Sequence, residues 1–448
     1  MTSPFDPQIA EALGDNLAPA PEIHEIGQAE LPSCFHVSEL ATASLKAASR
    51  EIAPLLGVRE AAVDRRLASM WFDRTLRPIG WELPSAWDPI AGDYAAKDGW
   101  IRLHTNAPHH RDAALSVLGC AAERGEVTKA VATWDKAALE AAVVAAGGAV
   151  AAMHSLTEWA THPQGKAVAA EPLIDWRETG ASAAPFAMDG LRVLDLTRVL
   201  AGPVATRFLA AYGAEVLRID PPWWGEPGVE PEVTLGKRRA GLDLTRTEDR
   251  ATFEDLLKRA DVLVHGYRPG ALEGLGYGPE VRRRLAPGQI DVSLCAYGWT
   301  GPWAGRRGFD SLVQMSCGIA YEGMRRRSAA CPVPLPVQAL DHATGYLMAA
   351  AVLRALRLRQ ASGRVVSARL SLARTGALLV SGGARDLTGA PIVESAADLA
   401  PQIEATGWGP ARRLRFPVIL DGQPPRWTIP AGPLRVDAPC WRAAQTAG

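Results

Sequence analysis

The sequence predicts an α/β protein that contains a doubly wound parallel sheet and a second, smaller α+β domain. From Met188 onward, short apolar strands alternate with helical stretches, which is the pattern of parallel βαβ units. Upstream, a hairpin signal around Lys97 is followed by Ala-rich helices. The 448 residues, 48% of them hydrophobic and 22% charged, leave room for about two or three domains with apolar cores.

Composition argues against several classes of function. Lys plus Arg total 48 against 49 Asp plus Glu, so the net charge of −1 does not favour a nucleic-acid or anionic-membrane partner. The longest apolar run, residues 141–153, is shorter than the roughly 20 residues of a membrane span, and the acidic N-terminus is unlike a signal peptide. Six scattered cysteines without a CxxC pair indicate free thiols and no metal site. A cytoplasmic protein is therefore expected.

The first part of the chain is predicted to be mainly helical. Amphipathic spacing indicates helices over 38–53 and 59–74, and the hairpin at 97–99 precedes helices at 110–122 and 136–146. A stretch rich in Ala, at 178–187, resembles a linker. We therefore predict one unit over 1–185, a sheet domain over 186–385, and a Pro- and Trp-rich tail over 386–448 that packs on both.

The sheet domain is predicted from alternating strand and helix signals. Strands are expected at 191–196, 214–220, 260–266 and 290–294, and helices at 203–212, 248–259 and 342–359. In open sheets of this kind, ligands bind at the carboxyl ends of the parallel strands. Chemistry-bearing residues that directly follow a predicted strand are therefore the candidates for a site.

Two segments are candidates for binding phosphate. In TRVLAGP, which follows the first strand, Gly202 and Pro203 would open a helix whose free N–H groups point at a ligand; a plain helix start is the alternative. In GKRRAGLDLTR, Lys237, Arg238 and Arg239 could cradle a phosphorylated ligand, although on this segment alone a solvated basic run is the favoured interpretation.

Two further loops follow strands. The turn YRPG at 267–270 comes after the third predicted strand, so it should line the ligand crevice. The segment YGWTGPWAGRRGFDSLVQMSCG carries Arg306 and Arg307; it could enclose a ligand arm or form a surface loop.

Asp341 is predicted at the N-cap of the long helix. A cap alone would contribute roughly 1 kcal/mol of stability. The helix N-terminus should also stabilise the carboxylate form, which would leave Asp341 ionised and able to act as a nucleophile. His342 is the next residue, and because consecutive helical side chains diverge, a structural role is expected for it.

Taken in order, seven segments resemble the family III CoA-transferases, the group of formyl-CoA transferase, carnitine CoA-transferase and α-methylacyl-CoA racemase. They are LRVLDLTRVLAGP, AEVLRIDPP, GKRRAGLDLT, ADVLVHGYRPGALEGLGYG, YGWTGPWAGRRGFD, ALDHATG and SGRVVSARLSL, within about 190–372. The resemblance implies a Rossmann-like CoA-binding domain with Asp341 as the catalytic residue. It also implies CoA contacts at Leu200, Ala201, Asp243, Leu244, Thr245, Arg246, Tyr267, Arg268 and Pro269, with Arg307 near the charged groups of CoA.

The resemblance implies transfer of CoA between an acyl-CoA and a carboxylic acid through a covalent aspartyl intermediate. CoA and acyl-CoA are then substrates, and no permanently bound cofactor or metal is required. A homodimer is expected, with a second subunit as an open alternative. Racemisation at the α-carbon and noncatalytic CoA binding are the other hypotheses.

The sequence departs from this family in two ways. In the racemase branch a histidine precedes the aspartate of the GxD element, whereas Phe309 stands here, which favours transfer over racemisation. The segment resembling the family's smaller domain also comes first rather than after the catalytic aspartate, so an interlocked dimer is in doubt. Front residues that are candidates for covering Asp341 are Trp100, His104, His109 and His110.

Overall fold

The N-terminal part of the chain is only partly helical. The computed structural model describes residues 3–14, 17, 20–182, 184–388 and 390–442. The first elements are α1 (Asp6–Leu13), β1 (Ile23–Ile26), β2 (Ser33–Phe35), α2 (Val37–Leu56), β3 (Ala61–Asp64), α3 (Arg65–Met70) and β4 (Leu76–Pro78). The helix predicted at 38–53 is confirmed as α2. The helix predicted at 59–74 is wrong over its first half, because residues 61–64 form a strand that pairs with β1.

A small α+β unit follows. It consists of β5 (Gly92–Ala96), β6 (Gly99–Leu103), α4 (Pro108–Leu118), α5 (Arg124–Val131), α6 (Lys136–Ala145) and β7 (Val150–Ala152). The predicted hairpin is confirmed as the antiparallel pair β5 and β6, which β7 extends. Apolar side chains of these strands and helices, among them Ile101, Val127 and Leu139, form a separate buried cluster. This unit is referred to below as the front unit, residues 87–153.

The main sheet has seven strands. Its elements, with their flanking helices, are α7 (Leu156–Thr161), α8 (Pro163–Ala170), β8 (Asp175–Ala181), β9 (Arg192–Leu196), α9 (Ala201–Ala211), β10 (Glu215–Asp220), α10 (Glu230–Val233), β11 (Lys237–Gly241), α11 (Thr247–Lys258), β12 (Val262–His265), α12 (Ala271–Gly274), α13 (Pro279–Leu285), β13 (Ile290–Cys295), α14 (Asp310–Ser316), α15 (Ile319–Arg326), α16 (Ala339–Ser362), β14 (Arg364–Ser371) and α17 (Leu372–Ser381).

The strand order explains where a ligand crevice forms. The order is β11-β10-β9-β12-β13-β14-β8, and all neighbours from β11 to β14 are parallel. The chain moves outward from β9 to β11 and then crosses to β12 on the other side of β9. Loops leave these two central strands in opposite directions, which opens a crevice at their carboxyl ends. The predicted α/β fold with a doubly wound sheet is therefore confirmed.

The segment predicted as a linker contains a strand. Residues 175–181 form β8, which pairs antiparallel with β14 and completes the edge of the main sheet. The linker prediction is therefore wrong for residues 178–181. Alternation in this strand is weak, and its pairing partner lies nearly two hundred residues further along the chain, so local sequence gave no signal for it.

The last elements tie the two ends of the chain together. They are β15 (Ala384–Thr388), a single 3₁₀ turn (Ala396–Asp398), β16 (Leu399–Thr406), β17 (Gly409–Leu414) and β18 (Val418–Leu420). Strand β17 pairs with β4, and β18 pairs with β3. The tail therefore forms sheets with N-terminal strands.

The long helix α16 lies in the middle of the core. Most of its side chains are buried, and α2 packs along it. The Glu51 carboxylate of α2 accepts a hydrogen bond of 2.6 Å from the Arg357 guanidinium of α16, inside this interface. The N-terminal segment thus holds the helix that carries Asp341 at its start. None of the helices in the described part of the chain has the length and apolar composition needed to span a bilayer.

Candidate active site

A cavity of about 670 Å³ opens at the carboxyl edge of the main sheet. Its wall comes from the loops after β9, β10, β12 and β13, from the first turn of α16, and from the start of α4 in the front unit. The residues of this wall include His109, His110, Arg198, Val199, Ala201, Trp223, Trp224, Tyr267, Arg268, Pro269, Arg306, Arg307, Phe309 and Asp341. The cavity therefore lies at the point where the strand order reverses.

The turn between β9 and α9 is held in a strained conformation. Val199 has a φ of 65°, which is unfavourable for a β-branched residue. Its N–H donates to the Glu226 carboxylate at 2.8 Å, and Glu226 is itself paired with Arg218. Helix α9 then begins at Ala201, two residues before the predicted start. Of the two predicted contacts here, Ala201 lines the cavity, whereas Leu200 is buried behind it.

The predicted turn after β12 reaches the cavity. Tyr267, Arg268 and Pro269 all line it. The guanidinium of Arg198 lies over the rings of Trp224 and Tyr267, at 4.8 and 5.2 Å from their centroids, and donates a 3.2 Å hydrogen bond to the Tyr267 hydroxyl. This stack fixes one cation on the floor of the crevice.

The two arginines after β13 have different roles. Arg306 is paired with Glu140 of the front unit at 2.7 Å and lies 4.0 Å over the Trp303 ring. Arg307 donates to the carbonyl oxygen of Gly147 at 2.6 Å, and burial together with the nearby Arg268 lowers its pKa. Arg306 thus fastens the front unit to the sheet, while Arg307 lies in the cavity wall. The contact between Arg307 and CoA that the resemblance implies stays a prediction.

Asp341 is the one acidic residue among those that form the cavity wall in the described part of the chain. It lies in the first turn of α16, whose N-cap is Gln338, so the predicted N-cap position is wrong. Its side chain is buried, and its backbone N–H donates to the Asp310 carboxylate at 2.9 Å. A second carboxylate therefore holds the start of the helix in place.

The electrostatics of Asp341 are opposite to the expectation from a helix N-terminus. Burial, followed by repulsion from Asp310, raises the pKa of Asp341 well above its usual value. Burial also raises the pKa of Asp310 to about 6, although its hydrogen bonds from Gln314 and from the start of α16 act in the other direction. Two neighbouring carboxylates do not ionise easily together, so Asp341 binds its proton more tightly than an exposed aspartate.

The structure does not bring the basic run of β11 to the cavity. Lys237 is fully buried, and its Nζ lies 3.0 Å from the Asp195 carboxylate and 3.0 Å from the Pro203 carbonyl oxygen. Burial lowers the pKa of Lys237 to about 8. The guanidinium of Arg238 donates to the carbonyl oxygens of Ala438 and Cys440 in the tail. The expected phosphate cradle does not form there, because these cations are used to hold the fold.

The predicted contacts after β11 also lie outside the cavity wall. Asp243 accepts hydrogen bonds from the backbone N–H and hydroxyl of Thr245, at 2.9 and 2.6 Å, which closes a tight turn. Leu244 is buried in the apolar cluster around α11, and the Arg246 side chain is exposed. Contact between these residues and a long ligand stays a prediction.

Several wall residues escaped the sequence analysis. Trp223 and Trp224 directly follow β10, so the rule that ligands meet the carboxyl ends of strands could have found them. Arg198 follows β9 in the same way. Of the front candidates, His109 and His110 line the cavity, whereas His104 stacks on Phe309 with ring centroids 3.7 Å apart. Trp100 packs in an apolar cluster beside Phe309.

The central part of the chain is similar to known proteins. Residues 188–394 match the sequence model of CoA-transferase family III. A protein of Mycobacterium tuberculosis named "probable fatty acyl-CoA transferase" is 37% identical over 191 residues, which are 39% of this chain and 48% of that protein. The mouse succinyl-CoA:glutarate CoA-transferase is 33% identical over 190 residues, which are 40% of this chain and 43% of the mouse protein.

A solved structure gives a similar partial match. A CaiB/BaiF family protein of Brucella suis is 27% identical, with a TM-score of 0.39, over 50% of this chain and 64% of that chain. The chain spans about half the length of the curated relatives it matches. The matched segment contains the main parallel strands, the wall loops and Asp341. Residues 188–394 of the chain are therefore similar to CoA-transferase family III.

Proposed function

We propose that this protein is a CoA-transferase that moves CoA between an acyl-CoA thioester and a carboxylic acid through a covalent intermediate on Asp341. The observation that carries the proposal is that, among the described residues, Asp341 is the one carboxylate in the wall of a cavity that otherwise carries the charges of arginines. A nucleophile in the wall of a cationic crevice suits a ligand with a thioester at one end and phosphates at the other.

The proposed reaction balances without a further reactant. The Asp341 carboxylate attacks the thioester carbonyl carbon, the C–S bond breaks, and CoA leaves as a thiolate, which gives an acyl-aspartyl anhydride. The thiolate then attacks the aspartyl carbonyl carbon, so that the first acid leaves as a carboxylate and an aspartyl-CoA thioester remains. The acceptor carboxylate repeats both steps in the opposite direction and regenerates Asp341. CoA and acyl-CoA are substrates, and no permanent cofactor takes part.

The thiol of CoA is a good leaving group for this chemistry. Its pKa of about 8.5, taken from that of a free thiol, is low enough for a carboxylate to displace it. The raised pKa of Asp341 means that a proton must leave Asp341 before attack. Arg268 and Arg307 would favour the ionised substrate carboxylates and CoA phosphates in the same cavity.

The relatives are consistent with this reaction class. One is named for fatty acyl-CoA and another for succinyl-CoA and glutarate. Racemisation is less favoured, because Phe309 stands beside Asp310 where that chemistry would need a histidine. Racemisation would add solvent deuterium at the α-carbon of the acyl group, so its absence in heavy water excludes this alternative. A homodimer and a cytoplasmic location remain predictions.

The proposal is tested by trapping the intermediate. The protein is incubated with acetyl-CoA, succinyl-CoA or a fatty acyl-CoA, and the peptide containing Asp341 is examined by mass spectrometry before and after hydroxylamine. We expect an acyl or CoA adduct on Asp341 that hydroxylamine removes, and no adduct in Asp341→Asn, which keeps the shape of the side chain. A wild-type protein that binds CoA but forms no adduct with any donor would instead support noncatalytic binding.

A further inference from the structure

His110 is a buried imidazole that lacks a hydrogen-bond partner in the described part of the chain. The residue is 4% exposed, and neither Nδ1 nor Nε2 is paired. Buried polar atoms are seldom left unpaired, because each costs free energy relative to water. Since His110 also lines the cavity, a ligand in the cavity can provide the missing partner.

His110 lies beside Phe309 in the cavity wall. Its ring packs edge-on against Phe309, with centroids 5.8 Å apart. Phe309 immediately precedes Asp310, whose carboxylate accepts the backbone N–H of Asp341. His110, Phe309 and Asp341 all line the same cavity, so a substrate that reaches Asp341 shares that cavity with the imidazole.

The charge state of His110 limits what it can do. Burial, and then the nearby His109, Arg307 and Arg268, lower the pKa of His110 to about 3. The ring is therefore neutral at physiological pH, so it is neither a cation nor an effective base in this setting. A neutral imidazole has one N–H donor, and the positive charge of Arg268 and Arg307 favours an electron-rich oxygen as its acceptor.

We propose that His110 donates a hydrogen bond to an oxygen of the acyl substrate held against Asp341. The inference rests on the proposed function and adds a substrate contact to it. Because His110 belongs to α4, the contact comes from the front unit and lies outside residues 188–394 that match the family. The front unit would then help to select the acyl group, while the sheet loops hold CoA.

The test compares His110→Leu with His110→Gln. Leu removes the unpaired nitrogens but fills similar space, so the thermal midpoint of the ligand-free protein should hold or rise. With succinyl-CoA or acetyl-CoA as donor, the rate of adduct formation on Asp341 should fall about 10- to 100-fold in His110→Leu. Gln keeps an N–H donor and should recover part of the rate. Affinity for CoA itself, measured by calorimetry, should change little.

The control is His154→Leu. His154 is a partly buried histidine with an unpaired Nδ1, and it lies outside the cavity wall. It should leave the rate unchanged. A His110→Leu variant that loses thermal stability and keeps its rate would give His110 a structural role and overturn the inference. Absence of an adduct in the wild type would overturn the proposed function and this inference together, whereas equal rates in wild type and His110→Leu would overturn only the inference.

Discussion

Basic side chains occur both at the centre and at the edge of the main sheet, but their surroundings differ. After the central strands β9, β12 and β13, residues such as Arg198, Arg268 and Arg307 line an open cavity. At the edge strand β11, the cations Lys237 and Arg238 are tied to neighbouring protein atoms. A basic side chain beside a strand is therefore not enough to predict a ligand contact.

Topology and the C-terminal tail account for this difference. At the centre, loops leave β9 and β12 in opposite directions, which opens a crevice. Along β11, the tail lies against the strand: the Arg239 N–H donates to the Asp437 carboxylate and the Asp437 N–H donates to the Arg239 carbonyl oxygen, at 2.8 Å each. The edge of a sheet needs such cover to avoid pairing with other chains. The tail thus uses the polar groups of β11 that a ligand would otherwise meet.

Replacement of Lys237 is expected to have the largest effect, which is on the free energy of unfolding. In Lys237→Met, the Asp195 carboxylate stays buried beside Thr197 and Thr206 without its cation. We expect a loss of about 3–5 kcal/mol in the free energy of unfolding, measured by urea titration. The affinity of the folded fraction for CoA should remain unchanged.

A second variant separates folding from binding at the same position. Asp195→Asn combined with Lys237→Met removes both charges and should recover part of the lost stability. A Lys237→Met protein with normal stability and weakened CoA binding would contradict the structural role and restore the predicted phosphate contact.

The fold was predictable where local patterns were strong. Residues 192–196, 215–220 and 290–295 form strands within a residue or two of the predicted bounds, because apolar runs bounded by turns specify them. Strand β3 was missed because its partners, β1 and β18, lie far along the chain in opposite directions. Amphipathic spacing over 59–74 could not reveal this long-range pairing.

The candidate site was predictable in position but not in its electrostatics. Asp341 could be found from its motif and from the start of a long helix. Its pKa is raised first by burial and then by Asp310, which is 31 residues earlier and reaches it through the packing of α14 against α16. Similarly, the ring of His110 meets Phe309 only because the front unit covers the sheet.

Asp310 gives an intermediate effect on the pH dependence. Burial, and then repulsion from Asp310, raises the pKa of Asp341, so attack by the carboxylate should speed up as pH rises through that pKa. Asp310→Asn removes the charge and should move the rising limb of the acylation rate to lower pH. Single-turnover acylation of Asp341 by acetyl-CoA across pH measures this shift.

The shape of the pH profile of acylation distinguishes an effect of the Asp310 charge from an effect on local structure. Asp310→Asn also weakens the hydrogen bonds that the Gln314 amide and the Asp341 backbone N–H donate to this side chain. The maximal rate is therefore expected to fall. The normalised profile is independent of that loss. A rising limb that stays at the wild-type pH would show that Asp310 positions the helix without affecting ionisation of Asp341.

Trp223 gives the smallest expected effect and marks how far the crevice extends toward the edge. It is 68% exposed at the cavity mouth, after β10, which lies between the central strand β9 and the edge strand β11. An exposed indole at this position suits stacking with the adenine base of CoA. Trp223→Ala should weaken CoA binding about fivefold by calorimetry, while Trp223→Phe should keep most of the affinity.

Pantetheine, which lacks the adenine base, locates the contact along the ligand. If Trp223 meets the base, Trp223→Ala leaves pantetheine affinity unchanged and weakens only CoA. The control Ile403→Ala removes a side chain that is 59% exposed on β16, outside the cavity wall, and should affect neither ligand. Equal losses of affinity for CoA and pantetheine would indicate that Trp223 contacts the thiol end of the ligand. An unchanged CoA affinity in Trp223→Ala would indicate that the nucleotide lies on the β12 side of the cavity. The part of the sheet that binds ligand would then end at β9 and would not extend toward β11.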